Sequence, residues 1–262
     1  MANLRALYVD LDNTLLGRGA SLFHDGEGKP SLLGPRAIEA CHRADVEVVV
    51  MSGRRRTGVA PIARMFGSRA YIFEAGSCVA DGPDEEWLTE PFMPDEGASV
   101  FDQIERTGAP QLLLDSLAIE YHTPWHTDRD VGHLFRGAID ARDADALLSE
   151  HGHDDLRLVD NGGIDRPGLR AYHLVPKGVS KGRAVARHMR VRGYAPEETI
   201  AAGDSREDLS AAEAVGTFWL VANALDRDPT LVTDLPRNAR LAEAGHGGGV
   251  YEAVVTELAE RR

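Results

Sequence analysis

The stretch LYVDLDNTLL, residues 7–16, places two carboxylates directly after an apolar run. Residues 7–9 carry apolar side chains that are typical of a β-strand. Asp10 and Asp12 follow on alternate positions, which puts both side chains on one side of an extended chain. Ionised carboxylates are costly to bury unless they are paired or bind a cation. The stretch therefore predicts either a strand end that emerges into water or a cation site at the end of a strand.

Strands and helices alternate along the residues that follow. VEVVVM, residues 46–51, is a continuous apolar and β-branched run, as expected for a buried strand of a parallel sheet. The spacing of apolar residues predicts helices over 34–44 and 57–66 and a further strand over 70–73. This order is typical of an α/β fold in which helices cover both faces of a parallel sheet.

The pattern changes after the third strand. A hairpin is expected over 78–88, with Asp81 and Gly82 at its turn. The next part of the chain has its own elements, with helices predicted over 95–106 and 141–150 and strands over 111–121, 134–139, 156–159 and 169–175. The alternation then returns, with helices over 181–192, 208–215 and 249–260 and strands over 199–203 and 218–221. We therefore predict a core formed by residues 1–90 and 174–262, with an inserted domain over 91–173.

Composition limits the partners that the chain can have. The net charge is −13, from 42 acidic and 29 basic residues, which argues against a nucleic-acid surface. Two cysteines, Cys41 and Cys78, cannot form a disulfide framework and suit a reducing compartment. The residues before Asp10 contain no apolar run of the length that a signal peptide needs, and no run in the chain approaches the roughly 20 residues of a membrane span. We expect a cytoplasmic protein without a nucleic-acid or membrane partner; the sequence does not indicate its oligomeric state.

A second pair of carboxylates lies in TIAAGDSREDLSAAEA, residues 199–214. Asp204 follows an apolar strand and Asp208 comes four residues later, so both can face one point beyond the strand. Alone, Asp208 is best interpreted as a helix N-cap. Asp10 and Asp12 end another strand of the same kind, and ligands of open parallel sheets bind beyond the carboxyl ends of strands. Such a carboxylate cluster needs a counter-charge, and its hard oxygen ligands predict a Mg²⁺ site.

Two further stretches offer groups for an anion. In VVVMSGRRR the hydroxyl of Ser52 can bind a phosphate oxygen, and Gly53 lets backbone N–H groups approach a ligand. The following arginines favour a solvated face, with Arg54 the exception because it lies nearest the sheet edge. Lys181 begins a helix, where a cation is unfavourable for the helix dipole, so we expect an anion beside it. Lys177 is the competing candidate and is expected to be exposed.

Together the four stretches resemble the haloacid dehalogenase-like hydrolase superfamily. Its motifs are matched in order by Asp10, Asp12 and Thr14, then Ser52, then Lys181, and then Gly203, Asp204 and Asp208. The resemblance implies a doubly wound, Rossmann-like core with an α+β cap, as in the subgroup of Cof-like, sucrose-phosphate and mannosyl-3-phosphoglycerate phosphatases. YIFEAG (71–76) and HGGGVYEAV (246–254) are similar to that subgroup as well. Two positions depart from it, Glu207 in place of Asn and Asn13 in place of Gly.

The resemblance also implies a mechanism. Asp10 would attack phosphorus and form an aspartyl-phosphate, and Asp12 would protonate the leaving oxygen and then activate water. Mg²⁺ would be held by Asp10, the backbone carbonyl of Asp12, and Asp204, with Asp208 as a further ligand or as a group that orients one. Ser52, Gly53 and Lys181 would bind phosphate. Because Asp12 supplies an acid, a phosphatase is favoured over a dehalogenase.

Other interpretations stay open at this point. A phosphomutase would share all four motifs, and a non-catalytic phosphate-binding module is a candidate of a different class. A zinc site could be argued from His122 and His126 or from His151 and His153, but no cysteine pair supports it.

The substrate is expected to be a small phosphorylated metabolite, a sugar phosphate or a phosphorylated sugar acid. The stretch EYHTPWHTDRDVGHLFRG, residues 120–137, concentrates aromatic and cationic groups that can recognise a sugar or a second anion. We therefore add Arg54, His126, Arg129 and Arg136 as candidate substrate-binding residues. The same cap residues can equally be ordinary surface.

Overall fold

The structure, a computed structural model, describes residues 2–164, 166 and 168–261. Met1 and Arg262, the outer ends of the predicted core, lie outside the described residues. The larger of two sheets has eight strands in the order β12-β11-β10-β1-β2-β3-β4-β5. Its strands are β1 (Ala6–Val9), β2 (Glu47–Met51), β3 (Ala70–Phe73), β4 (Cys78–Asp81), β5 (Asp84–Trp87), β10 (Thr199–Gly203), β11 (Thr217–Leu220) and β12 (Ala239–Leu241). Strands β12 to β3 pair in parallel, and the β4–β5 hairpin joins β3 antiparallel.

Helices cover both faces of this sheet. One apolar cluster lies between the sheet and helices α1 (Leu33–Arg43), α2 (Arg56–Met65) and α9 (His246–Glu260). A second cluster lies on the opposite face, beneath α6 (Lys181–Arg192) and α8 (Ala224–Arg227). A sheet that is buried on both faces explains why β1, β2 and β10 are almost entirely apolar. The predicted doubly wound α/β core is confirmed.

The second sheet has four antiparallel strands in the order β6-β7-β9-β8. They are β6 (Ile119–Tyr121), β7 (His133–Gly137), β8 (Leu156–Gly163) and β9 (Arg170–Pro176). Helices α3 (Val100–Arg106), α4 (Ala109–Ser116) and α5 (Ala141–Glu150) pack on one face of this sheet around an apolar cluster. We call these strands and helices the cap. The predicted domain boundary between 173 and 174 divides β9, which runs on to Pro176.

Three predicted elements differ from the structure. Residues 111–121 contain most of helix α4 and the short strand β6, because an apolar run fits helix and strand equally while Pro110 suits a first helical turn. The helix predicted over 95–106 begins at Val100, where Ser99 caps it. In place of a helix over 208–215 there is the short helix α7 (Arg206–Leu209), followed by a 3-10 turn over Ser210–Glu213. Among the described residues, no helix is long and apolar enough to cross a membrane.

Candidate active site

The carboxyl ends of β1 and β10 are adjacent, and each is followed by an aspartate. Asp10 continues the ladder by donating its N–H to the carbonyl of Ala202 at 3.0 Å, and Asp204 follows the last residue of β10. Asp10, Asp204 and Asp208 each offer a carboxylate oxygen that lies within 4.8 Å of the others. The structure thus brings together three of the four aspartates that the sequence analysis placed around a metal.

Lys181 lies in the middle of this cluster. Its ammonium donates to Oδ1 of Asp10 at 2.7 Å and to Oδ1 of Asp208 at 2.5 Å, and 1% of its side chain is exposed. Burial acts to lower the pKa of Lys181, but the two carboxylates outweigh it and raise this pKa, so the side chain stays cationic. Lys177 is exposed, as predicted.

Asp208 holds the loop that carries Asp204. Its Oδ2 accepts the N–H groups of Asp204 and Ser205 at 3.1 and 2.9 Å and the hydroxyl of Ser205 at 2.6 Å. The loop passes so close that a Cβ on Gly203 would lie 2.2 Å from Cβ of Asp208, which only glycine allows. With both oxygens engaged, Asp208 orients the loop and Lys181.

The cluster carries more negative charge than Lys181 balances. Burial, with Asp208 nearby, raises the pKa of Asp10 to about 7 although Lys181 opposes the shift. Burial and the repulsion of Asp208 and Asp10 likewise raise the pKa of Asp204 well above its usual range. A divalent cation would relieve this repulsion, and carboxylate oxygens are the ligands that Mg²⁺ prefers. The donor set therefore fits the predicted metal.

The side chain of Asp12 lies outside this carboxylate group. Its two oxygens accept a bidentate pair from Arg54, at 2.6 Å from Nε and 2.5 Å from Nη2. The carboxylate is 46% exposed, so it faces the solvent side of the site. Arg54 thus lies beside the site, and the hydroxyl of Thr14 reaches Asp204 at 3.3 Å.

The predicted phosphate loop follows β2. Ser52 is buried, and its hydroxyl accepts the N–H of Arg54 at 3.2 Å. Gly53 is buried too, and its N–H has no acceptor among the described residues. A buried N–H without a partner is costly and rare. The loop therefore offers a donor that a bound anion can satisfy.

Glu207 had been noted only as a departure from the resembled subgroup. In the structure Oε1 accepts the N–H of Lys181 at 3.1 Å, at the first turn of α6. An anion there is favourable for the helix dipole, and together with Asp10 and Asp208 it supplies the negative charge that a lysine at a helix start requires. Glu207 also faces Arg157 of β8, with 3.4 Å between Nη2 and Oε2, so it connects the cap to the core.

The candidate substrate-binding residues of the cap have different environments. Arg129 is buried and donates from Nη2 to the carbonyl of Gly53 at 2.8 Å, so its guanidinium belongs to the joint between cap and core. Arg136 pairs with Glu120 at 2.7 Å. The ring of His126 stacks on Tyr121, with 5.0 Å between centroids.

Sequence analysis missed the residues that line the joint between cap and core. A Cβ on Gly53 would lie 3.0 Å from Nε2 of His173 and 3.1 Å from Oδ1 of Asn161, so these two cap side chains cover the phosphate loop. His173 is buried, which together with the nearby cations Arg129 and Lys181 lowers its pKa and keeps the ring neutral. Glu74, also buried, is the third missed residue. The sequence analysis predicted a strand over 169–175, but nothing local indicated which of its faces meets the core.

The zinc alternative gains no support. In the part of the chain that the structure describes, Asp10, Asp204 and Asp208 form the one group of three or more metal-ligating residues. Neither predicted histidine pair joins it.

Comparisons with known proteins agree with this geometry. Residues 140–228 match the family model of haloacid dehalogenase-like hydrolases. A phosphoglycolate phosphatase of Methanoculleus marisnigri is 27% identical over 251 residues, which cover 96% of this chain and 95% of the relative. A phosphoglycolate phosphatase of Archaeoglobus fulgidus is also 27% identical, over 92% of this chain and 95% of the relative.

Solved structures share the fold. The sucrose-phosphatase of Synechocystis, solved with sucrose and phosphate, covers 98% of both chains with a TM-score of 0.71 and 17% identity. A haloacid dehalogenase-like hydrolase of B. subtilis covers 96% of this chain and 99% of its own, with a TM-score of 0.63 and 18% identity. These comparisons confirm the resemblance to haloacid dehalogenase-like hydrolases and the predicted class of enzyme, a phosphoric monoester hydrolase.

Proposed function

We propose that this chain is a Mg²⁺-dependent phosphatase that hydrolyses a small phosphorylated carboxylic acid, such as 2-phosphoglycolate, through an aspartyl-phosphate. The observation that carries the proposal is the group of Asp10, Asp204 and Asp208, two of which pair with the buried Lys181, at the carboxyl ends of two parallel strands. A site of this charge attracts a cation and, through it, a phosphate.

The metal would be held by the carboxylates of Asp10 and Asp204 and by the backbone carbonyl of Asp12. Bound there, Mg²⁺ offsets the repulsion between carboxylate and phosphate dianion. The phosphate would take up the donors of the loop, which are the hydroxyl of Ser52 and the free N–H of Gly53, and the ammonium of Lys181. Two separate elements of the core, the loop after β2 and the first turn of α6, would thus fix its orientation.

Two aspartates would divide the chemistry. An oxygen of Asp10 attacks phosphorus, the P–O bond to the leaving group breaks, and Asp12 gives its proton to the departing oxygen. Asp12, now a carboxylate, takes a proton from water as that water attacks the phosphorus of the intermediate. The bond between phosphorus and Asp10 then breaks and inorganic phosphate leaves. The bidentate pair with Arg54 holds Asp12 as a carboxylate beside this site before substrate enters, so Asp12 would have to leave Arg54 and take up a proton from solvent before it acts as the acid.

The substrate class rests on the relatives, which are named phosphoglycolate phosphatases and align over nearly the whole chain. A carboxylate on the substrate would need a cationic side chain outside the phosphate site to bind it. Register places Arg136 and His173 on one face of the cap sheet, since Arg136 pairs with Ala171 and Leu134 with His173. His173 covers Gly53, so this face looks toward the phosphate loop. We propose residues 91–173 as a substrate-selecting cap and Arg136 as the group that meets the carboxylate.

The test is phosphate release from purified protein. With Mg²⁺ present, 2-phosphoglycolate should be hydrolysed with a higher kcat/KM than 3-phosphoglycerate, glucose 6-phosphate or glycerol 3-phosphate. EDTA should abolish release and added Mg²⁺ should restore it. Asp10→Asn, prepared in the same way, should release nothing and so excludes a contaminating phosphatase.

Two results would contradict the proposal. Hydrolysis that is equally fast in EDTA would show that the reaction does not depend on a metal ion. Conversion of a phosphorylated sugar to its isomer without phosphate release would favour a phosphomutase instead.

A further inference from the structure

Residues 52–54 form the loop that follows β2, and each of their three backbone carbonyls accepts a hydrogen bond from another part of the chain. The carbonyl of Ser52 accepts the N–H of Ala75 at 3.1 Å, and that of Arg54 accepts the N–H of Glu74 at 2.9 Å. The carbonyl between them, on Gly53, accepts Nη2 of Arg129 at 2.8 Å. The first two donors belong to the core, and the third belongs to the cap.

The direction of these carbonyls sets the direction of the donors. In a trans peptide the C=O of one residue and the N–H of the next point in opposite directions. Holding the carbonyl of Ser52 therefore aims the N–H of Gly53 toward the opposite side, and holding that of Gly53 aims the N–H of Arg54 at the hydroxyl of Ser52, which accepts it at 3.2 Å. The loop can present its donors to a phosphate only while the carbonyls stay engaged.

Glu74 connects Arg129, the donor from the cap, to the two backbone donors of the core. Its carboxylate is fully buried, lies 3.5 Å from Nε of Arg129, and accepts the N–H groups of Asp130, Val131 and Gly132 at 2.8, 3.1 and 2.8 Å. Glu74 and Ala75 have φ of +45° and +59°, a left-handed backbone that is strained for residues with side chains. This backbone lets one residue reach the loop with its N–H and the cap with its side chain.

We propose that Arg129 and Glu74 are positioning residues that make the phosphate loop complete only when the cap is docked on the core. The inference rests on the proposed function, since it assumes that residues 52–54 bind phosphate. When the cap moves away, the carbonyl of Gly53 loses its donor and the loop loses its affinity for phosphate. Arg129 does not touch the substrate; it acts through the peptide of Gly53.

The experiment measures inorganic phosphate as a competitive inhibitor of p-nitrophenyl phosphate hydrolysis. Arg129→Met should raise the inhibition constant of phosphate and the KM about tenfold, as expected for loss of a hydrogen bond from a charged donor, with a smaller change in kcat. Arg129→Lys should recover part of this loss, because an ammonium can still donate to the carbonyl of Gly53.

A matched variant separates positioning from folding. Leu148→Ala removes a fully buried side chain from the apolar cluster of the cap and should lower Tm without changing the inhibition constant. Glu74→Gln should weaken phosphate binding as Arg129→Met does, and the double variant should lose less than the sum of the two.

Each contrary result has a distinct meaning. If Arg129→Met lowers Tm but keeps the wild-type inhibition constant, Arg129 is only structural and the inference is wrong. If the effects of Glu74→Gln and Arg129→Met add fully, the two residues do not act as a pair. If phosphate fails to inhibit the unmodified protein, both the proposed function and this inference are overturned.

Discussion

The two sheets of this protein place their charged side chains in different positions. The eight-stranded sheet buries both faces in apolar clusters and gathers Asp10, Lys181 and Asp208 at one edge, beyond the carboxyl ends of β1 and β10. The four-stranded sheet buries one face under its own helices and turns the other, which carries Arg136 and His173, toward the core. In the core, strand ends place the reactive groups. In the cap, a whole sheet face places the groups that meet the core, so its contribution depends on how the two sheets dock.

The first prediction asks whether the chemistry belongs to the core alone. Asp12→Asn cannot protonate a leaving group, so turnover of an alkyl phosphate should fall by about 10²- to 10⁴-fold. An activated ester such as p-nitrophenyl phosphate needs little protonation and should still phosphorylate Asp10. Because water activation is lost as well, the variant should accumulate phosphorylated enzyme, visible as a mass gain after acid quench that maps to Asp10. A label on Ser52 would contradict the assignment.

The second prediction concerns the buried cation of the core. Lys181→Met leaves the carboxylates of Asp10 and Asp208 without their ion pair, and breaking a buried pair costs about 3 kcal/mol or more. Chemical denaturation in EDTA should show this loss, and Mg²⁺ should restore part of it by supplying another cation. Phosphate release should fall about 10²-fold or more.

Lys177→Met is the matched control for this change. Lys177 is exposed, so its replacement should leave both stability and turnover close to those of the unmodified protein. If the two variants lose equal amounts of phosphate-release activity, the assignment of Lys181 to the phosphate site is wrong.

The third prediction concerns the apolar side of the cap. Burial lowers the pKa of His133 to about 4, and its ring stacks on Phe101 with 3.8 Å between centroids. The unfolded chain therefore binds a proton between roughly pH 6.5 and 4 that the folded cap does not, and stability falls as pH drops through this window, by up to roughly 3 kcal/mol. His133→Phe should keep the stacking and remove this part of the pH dependence.

The readout is the free energy of unfolding from denaturant titrations at pH 7, 6, 5 and 4.5. His151→Gln, a change at an exposed histidine of the same cap, is the matched control and should follow the unmodified curve. If His133→Phe also follows that curve, His133 is not buried neutral in the folded cap.

Much of the core was predictable from local patterns. The strands Ala70–Phe73 and Thr199–Gly203 and the helix Lys181–Arg192 have the bounds that the sequence predicts, because apolar runs and helix starts are local features. The cap was predicted less well, and α4 was mistaken for a strand. A short apolar run fits either element until packing against a neighbour decides, as it does where Leu113 joins the cap cluster.

The candidate site divides in the same way. The sequence alone predicted that Asp10 and Asp204 would meet, because parallel strands end at one edge of a sheet and a residue just after a strand lies there. It also placed Asp208, four residues after Asp204, and Asp12 in this group; Asp208 joins it, but the side chain of Asp12 pairs with Arg54 instead. Only the tertiary structure decided that Arg129 holds the carbonyl of Gly53 and that Glu74 holds Arg129. Those contacts depend on the angle and register at which one sheet docks on another, and no local pattern of residues encodes that arrangement.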